Sequence, residues 1–240
     1  MAAISNSPSS LARGLGRFDA KALAPPEVLP LAELLPRRAQ LGPILAFTLQ
    51  QVFTEKECLA LIQASENQGY VPAKVNMGSH EELIPEYRKS LRCIIDDHEF
   101  ARKVFERVAP FVPATYANRP VVGINERFRF LKYLPGDCFM PHYDGEYRRP
   151  DGSGEVSKVT IQIYLNGDCI GGETSFLEEK MGGSTQPVKA VRVNPTTGQV
   201  LIFEHPLLHE GSPVIDGVKY AIRSDIMYGP PAPHPKLHQK

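Results

Sequence analysis

A histidine and an aspartate stand two positions apart in PHYDGEY, residues 141–147, just after a proline-glycine turn. His142 and Asp144 are both metal-ligating types, but a pair does not close a site and serves a loop equally well. A third donor would complete a 2-His-1-carboxylate triad. Such a triad holds one face of an octahedral Fe(II) and leaves the opposite face open to substrate and oxygen. The segment VLIFEHPLLHEGSPVIDGVKYAIRSDIMY offers His205 and His209. His209 is the better candidate, because the short connector EGSPVIDG leads from it into a strand opening with Lys219, and a return of that length brings the strand back beside it. His205, between Glu204 and Pro206, reads more simply as a turn residue.

The strand KYAIRSDIMY carries a second signal. By two-residue alternation Lys219, Ala221, Arg223 and Asp225 share one face, and Tyr220, Ile222, Ser224 and Ile226 share the other. The bulky, mostly apolar set should pack against an outer layer, which turns the first set toward a cavity. A cation there is costly without an anion. Asp225 is placed to pair with Arg223, which leaves Lys219 in want of a carboxylate that a bound dicarboxylate would supply. An exposed edge strand with ordinary charges is the competing reading. The same parity in ERFRFLKYLPGD aligns Arg127, Arg129, Leu131 and Tyr133 on one face and sends Phe128 and Phe130 into packing. In KVTIQIYLN, Tyr164 shares a face with Gln162 and Thr160. Polar side chains inside and apolar ones outside invert the usual barrel pattern, as a polar ligand site requires.

The elements that must position these residues follow from texture along the chain. Residues 1–40 are Ala-, Pro- and Ser-rich with one short apolar segment, VLPLAELLP, and read as a flexible N-terminal extension. LGPILAFTL suits a strand. TEKECLALIQASENQG then starts a helix on a Thr54/Glu57 capping box, with Cys58, Leu59, Leu61 and Ile62 as its apolar face. DDHEFARKVFERVAPF repeats the start signal with Asp96 and Glu99. From residue 121 onward short β-type runs separated by Gly, Pro, Asn and Asp predict an antiparallel sandwich or barrel. Helices first and strands afterward give an α+β class with helices packed outside the sheet. Residues 41–228 are expected to form one domain, and 229–240 a flexible proline-rich tail.

The 240 residues carry 27 basic and 27 acidic side chains, so no charge excess points to nucleic acid. Four cysteines without a CxxC pair exclude a zinc knuckle and imply no disulfide framework. No stretch has the continuous apolar length that spans a bilayer. The first twenty residues lack the apolar core of a secretory signal, which predicts an intracellular, cytoplasmic or nuclear protein, with organellar targeting left open.

Taken in order, FLKYLPGDCFMPHYD, TIQIYLN, GGETSF, GQVLIFEHPLLHEGSPV and GVKYAIRSDIMY resemble the catalytic core of the Fe(II)/2-oxoglutarate-dependent dioxygenases, in particular their prolyl 4-hydroxylase-like branch. The resemblance covers roughly residues 120–228. It implies a double-stranded β-helix, a jelly-roll variant, with Fe(II) held by His142, Asp144 and His209. It further implies Lys219 on the distal carboxylate of 2-oxoglutarate and Tyr133 and Tyr164 as hydrogen-bonding partners of that cosubstrate, with O2 consumed and ascorbate supporting activity. Arg223 departs from the simpler pattern of one basic residue in this strand: it shares the carboxylate, lines the substrate side, or pairs with Asp225. The implied substrate is a prolyl residue of a protein or peptide. Arg127 and Arg129 on the inward face, and the loop GEYRRPDGSGEV, point alternatively to an acidic small molecule or peptide. A non-catalytic cupin-like module that binds a metal or ligand is the reading from a different class, and it would not need Lys219 and two tyrosines to converge.

Overall fold

The computed structural model describes residues 11–16, 18, 23–78, 80–178 and 189–232. Residues 1–10 and 233–240, which hold the outer parts of the expected extension and tail, lie outside the described residues. The alternating runs of the sequence become strands β1 (Ala46–Leu49), β2 (Leu91–Asp96), β3 (Arg127–Tyr133), β4 (Cys138–His142), β5 (Val156–Tyr164), β6 (Thr174–Leu177), β7 (Ala190–Val193), β8 (Val200–Glu204), β9 (His209–Gly211) and β10 (Lys219–Tyr228). Among the described residues they build two antiparallel sheets. The larger runs β1-β8-β5-β10-β3-β2, with short strands completing its edges, and the smaller runs β7-β6-β9-β4 and ends on a two-residue strand, Arg88–Lys89. This is an α+β fold with a double-stranded β-helix core, as expected.

Alternation decides what each face of the larger sheet does. Phe128 and Phe130 of β3, Ile161 and Ile163 of β5, and Ile222 and Ile226 of β10 point outward into one fully buried cluster. Helices α1 (Glu55–Gln68) and α2 (His98–Val108) cover that face with Cys58, Leu61, Phe100, Val104 and Val108. Phe100 meets Phe128 edge-on at a centroid distance of 4.6 Å. Each large apolar side chain removed from water in this way contributes about 1.5–3 kcal/mol. The opposite face of the sheet is free to carry polar groups only because this outer face carries the core.

The helix starts were largely readable. α1 opens on the full capping box: the Thr54 hydroxyl accepts from the Glu57 amide at 3.2 Å, and the Glu57 carboxylate accepts from the Thr54 amide at 2.9 Å. Two expectations shift. Leu59 faces solvent, because it lies about 100° around the helix from the buried Cys58. The cap of α2 is Asp97, whose carboxylate accepts from the Phe100 amide at 2.9 Å. Asp96, the expected start, is still the last residue of β2.

The described part of the N-terminal segment packs onto the domain. Leu31 and Leu34 of a one-turn helix, and Leu35 at the junction with a second one, Pro36–Ala39, join Tyr164, Phe176 and Phe203 in a second core cluster. Leu11, Ala12 and Leu15 are buried beside α1 and α2. Prolines forbid a long helix there, as read from the sequence, but the leucines between them still find apolar partners. No helix among the described residues is long and apolar enough to cross a membrane.

Candidate active site

β4 and β9 are neighbours in the smaller sheet, and their register places His142 directly opposite His209. Asp144 follows two residues beyond the end of β4. Ligand atoms of the three side chains all lie within 4.8 Å of one another. Both imidazoles are fixed in the same tautomer. His142 Nδ1 lies 2.8 Å from the Met140 carbonyl and His209 Nδ1 lies 2.8 Å from the Leu207 carbonyl. A carbonyl only accepts, so each Nδ1 carries the hydrogen and each Nε2 presents a lone pair. The rings are clamped by aromatic contacts: Phe139 stacks on His142 at 3.6 Å, and Phe203 meets His209 edge-on at 4.7 Å.

Electrostatics hold these groups in ligand-competent states. Burial, reinforced by the neighbouring His209, pushes His142 down to about 3, so its imidazole is neutral near pH 7. Burial lowers His209 as well. For Asp144 burial works toward the neutral acid, but the Arg223 guanidinium at 3.0 Å outweighs it and keeps the carboxyl well below its ordinary range. The Thr160 hydroxyl donates to Asp144 Oδ2 at 2.5 Å. Two neutral imidazoles and one carboxylate form the donor set that suits Fe(II).

Deeper in the same cavity lies Lys219, buried to 3% exposure. Its ammonium donates to the Gly172 carbonyl at 2.6 Å and faces the rings of Tyr133 and Tyr164 at 5.1 and 5.5 Å. It pairs with no carboxylate among the described residues. Burial pushes this ammonium down to about 8. Three N–H donors with one partner leave room for an anion. The GGET glycines make the arrangement feasible. Both have positive φ, and a Cβ at Gly171 would stand 2.4 Å from the Pro213 carbonyl oxygen, while one at Gly172 would stand 3.1 Å from Lys219 Cδ.

Parity placed most of the remaining candidates correctly. Arg129 and Tyr133 line the cavity, and Tyr133 lies directly across from Lys219. Tyr164 is fully buried and donates to Thr174 Oγ1 at 2.7 Å, an acceptor that also takes a hydrogen bond from Gln162. Arg223 pairs with Asp144 at 3.0 Å and Asp225 at 3.1 Å, so it ties the triad carboxylate to β10. His205 is buried with Nε2 3.5 Å from Asp225, apart from the triad. Arg127 is not brought to the site. It opens β3, half-exposed, where its cross-strand neighbour Asp96 takes both ends of the guanidinium at 2.9 and 2.8 Å. The loop after Asp144 is stapled, since Arg149 reaches both Glu126 and Glu155 at 2.9 Å. Arg88, Arg92 and Thr160 line the cavity and were not singled out from the sequence as site residues. Arg88 sits on a two-residue segment where alternation has too few residues to read, whereas Arg92 stands in the six-residue β2, which was not assigned from the sequence.

The comparisons follow this geometry. Residues 128–224 match the profile of the 2OG-Fe(II) oxygenase superfamily, where 2OG is 2-oxoglutarate. The matched stretch contains His142, Asp144 and His209, the three residues whose ligand atoms come together. Three solved structures share its fold. It is similar to a prolyl hydroxylase from Trichoplax adhaerens, in complex with a hypoxia inducible factor oxygen degradation domain peptide fragment (16% identity, TM-score 0.54, 83% of this chain and 88% of that one). It is similar to a Pseudomonas putida prolyl-4-hydroxylase (15%, 0.53, 82% and 99%). It is also similar to the viral collagen prolyl hydroxylase of Paramecium Bursaria Chlorella virus-1, in its 2OG complex (22%, 0.51, 76% and 95%). No curated protein matches the chain.

Proposed function

We propose that this chain is an Fe(II)- and 2-oxoglutarate-dependent dioxygenase that hydroxylates an unactivated C–H bond of a prolyl residue in a protein or peptide. Residues 41–228 act as its single oxygenase domain. The observation that carries the reading is one cavity, of about 380 Å³, that holds both a triad of two neutral imidazoles and one carboxylate and a buried ammonium with no counter-ion among the described residues. The residues fit the absent groups. His142, Asp144 and His209 would hold Fe(II), and Lys219 would take the distal carboxylate of 2-oxoglutarate, with Tyr133 and Tyr164 beside it. Iron and 2-oxoglutarate together supply oxygen activation, with succinate and CO2 as coproducts.

The chain's own contribution is positional. Met140 and Leu207 carbonyls keep the imidazoles aimed and in the required tautomer. Arg223 and Thr160 keep Asp144 ionised and oriented, which makes them positioning residues. Existing partners favour Lys219 over Arg223 as the anchor: Arg223 is already engaged by Asp144 and Asp225, whereas Lys219 pairs with no carboxylate among the described residues. The peptidyl prolyl substrate is supported by the ordered sequence motifs and by the fold shared with three prolyl hydroxylases. A small-molecule hydroxylase of the same family is the second reading, favoured by a cavity size at the small-ligand end of the usual range.

Reconstitution with iron, ascorbate and labelled 2-oxoglutarate tests the activity. Single-turnover release of labelled CO2 with stoichiometric succinate is expected, at a slow rate even before a prime substrate is found. Intact 2-oxoglutarate after full iron loading would leave a metal- or ligand-binding module instead. Ascorbate is expected to sustain repeated turnovers.

A further inference from the structure

The cavity is lined by six cationic side chains and five carboxylates, but the carboxylates are already engaged. Glu81 takes both ends of Arg92 at 2.9 and 2.8 Å, and Arg223 holds Asp144 and Asp225. Glu146 is paired by Arg148 and Lys158 outside the lining, and Glu210 accepts from the Ser212 hydroxyl. Apart from Lys74, which is exposed to solvent, that leaves two guanidinium groups besides the ammonium already assigned. Arg88 reaches only Ser90 Oγ and the Lys74 carbonyl, each at 3.4 Å, and pairs with no carboxylate among the described residues. Arg129 Nη1 is buried without a hydrogen-bond partner and lies 3.6 Å from an Asp225 already engaged by Arg223 at 3.1 Å.

Both stand next to the reacting centre. Arg88 lies over the Phe139 ring at 4.5 Å, and that ring stacks on His142 at 3.6 Å. Arg129 is the cross-strand neighbour of Arg223, which touches Asp144. Under-partnered guanidinium groups gathered around one cavity are a standing electrostatic cost unless an anion enters. Planar guanidinium groups take carboxylates through charge-assisted hydrogen bonds better than any other side chain does.

We infer that the substrate of this site is an acid, with a carboxylate near the oxidised C–H bond held by Arg88 and Arg129. This rests on the dioxygenase reading, in which 2-oxoglutarate already occupies the metal and Lys219. The carboxylate comes from one of two sources: an acidic side chain flanking the hydroxylated residue in a peptide, or the α-carboxylate of a free amino acid.

Calorimetric titration of the full chain, loaded with Mn(II) in place of iron and with 2-oxoglutarate, separates them. The probes are two matched pairs: N-acetyl-Glu-Pro-Gly amide against its Gln counterpart, and free L-proline against L-prolinamide. The acidic member of one pair is expected to bind at least about tenfold more tightly than its amide, and the pair that discriminates identifies the source. Arg88→Met and Arg129→Met, verified as folded by circular dichroism, should each bring that ratio close to one, and Arg129→Lys should recover part of it. The wild-type pairs test the preference for an acid without any variant, and the Met substitutions test which residues hold it. Equal or absent binding of both members in both pairs, by a chain that binds 2-oxoglutarate, overturns the inference alone, as does a preference that survives both Met substitutions. A wild-type chain that binds no 2-oxoglutarate overturns the dioxygenase reading and this inference with it.

Discussion

Arg107 and Lys219 are equally buried cations in opposite circumstances. Arg107, on α2, donates to both oxygens of Glu57 at 2.7 and 3.0 Å and to the Val52 carbonyl at 2.9 Å. Its guanidinium lies 4.7 Å from the rings of both Phe18 and Phe53. Lys219 has one backbone carbonyl and two aromatic faces. The first arrangement is complete and holds elements together. The second is incomplete in a cavity that also holds two metal-ready imidazoles. A buried charge bonded to a buried carboxylate reads as architecture, and one without a counter-ion reads as a receptor.

Substitutions should separate the two roles, with the largest effect at the triad itself. His209→Ala or Asp144→Ala is expected to abolish stoichiometric iron binding and reduce 2-oxoglutarate turnover to background, while the thermal transition persists. Next comes Arg107→Met, which strands Glu57 as an unpaired buried carboxylate. It should cost about 3–5 kcal/mol, read as a lower urea midpoint, with turnover per folded molecule unchanged. Lys219→Met should act in the reverse sense. It removes an uncompensated ammonium, so the cofactor-free chain should gain roughly 1–3 kcal/mol, while 2-oxoglutarate binding weakens by about a hundredfold. A loss of stability in Lys219→Met would erase the contrast between the two cations.

The pH dependence carries the same distinction. Without cosubstrate, the folded ammonium of Lys219 titrates near 8, whereas the unfolded chain keeps it protonated to its ordinary value of 10.5. Between those limits the unfolded state binds more protons, so this group makes folding more favourable as pH rises. Over the same window the charged form that a carboxylate needs is depleted, so 2-oxoglutarate affinity should fall. The difference between wild type and Lys219→Met, measured at pH 7.5 and about pH 9.5, isolates this contribution. The smallest effect belongs to Thr54→Ala. Loss of the capping box should cost about 1 kcal/mol and leave cosubstrate affinity unchanged.

Period-two alternation in long strands was the most legible signal in the sequence. It put Lys219, Arg223 and Asp225 on one face of β10 and Phe128 and Phe130 on the outer face of β3, and both placements match the structure. His209, chosen over His205, does meet the triad, but by another route than the one read from the connector: β9 pairs with β4 and sets His209 opposite His142, whereas the histidine beside β10 is His205, next to Asp225. Alternation failed at strand ends. Arg127 has the parity of Arg129, but a direct cross-strand partner, Asp96, holds it at the half-exposed start of β3. The strands between α1 and α2 were missed, since two-residue segments such as Arg88–Lys89 exist only through pairing with β4. With these segments, and with the unassigned six-residue β2, went Arg88 and Arg92 of the cavity. Arg223 was legible in position but not in partners, because its contact with Asp144 joins two elements that only the folded sheets bring together.

The account turns on whether the lone ammonium is the seat of a carboxylate. Titration of the manganese-loaded chain with 2-oxoglutarate and with 2-oxobutyrate, which keeps the metal-chelating end but lacks the far carboxylate, tests this directly. Wild type should prefer 2-oxoglutarate by about a hundredfold, and Lys219→Met should bind the two alike. A Lys219→Met chain that still strongly prefers 2-oxoglutarate would place the anchor elsewhere and contradict the account.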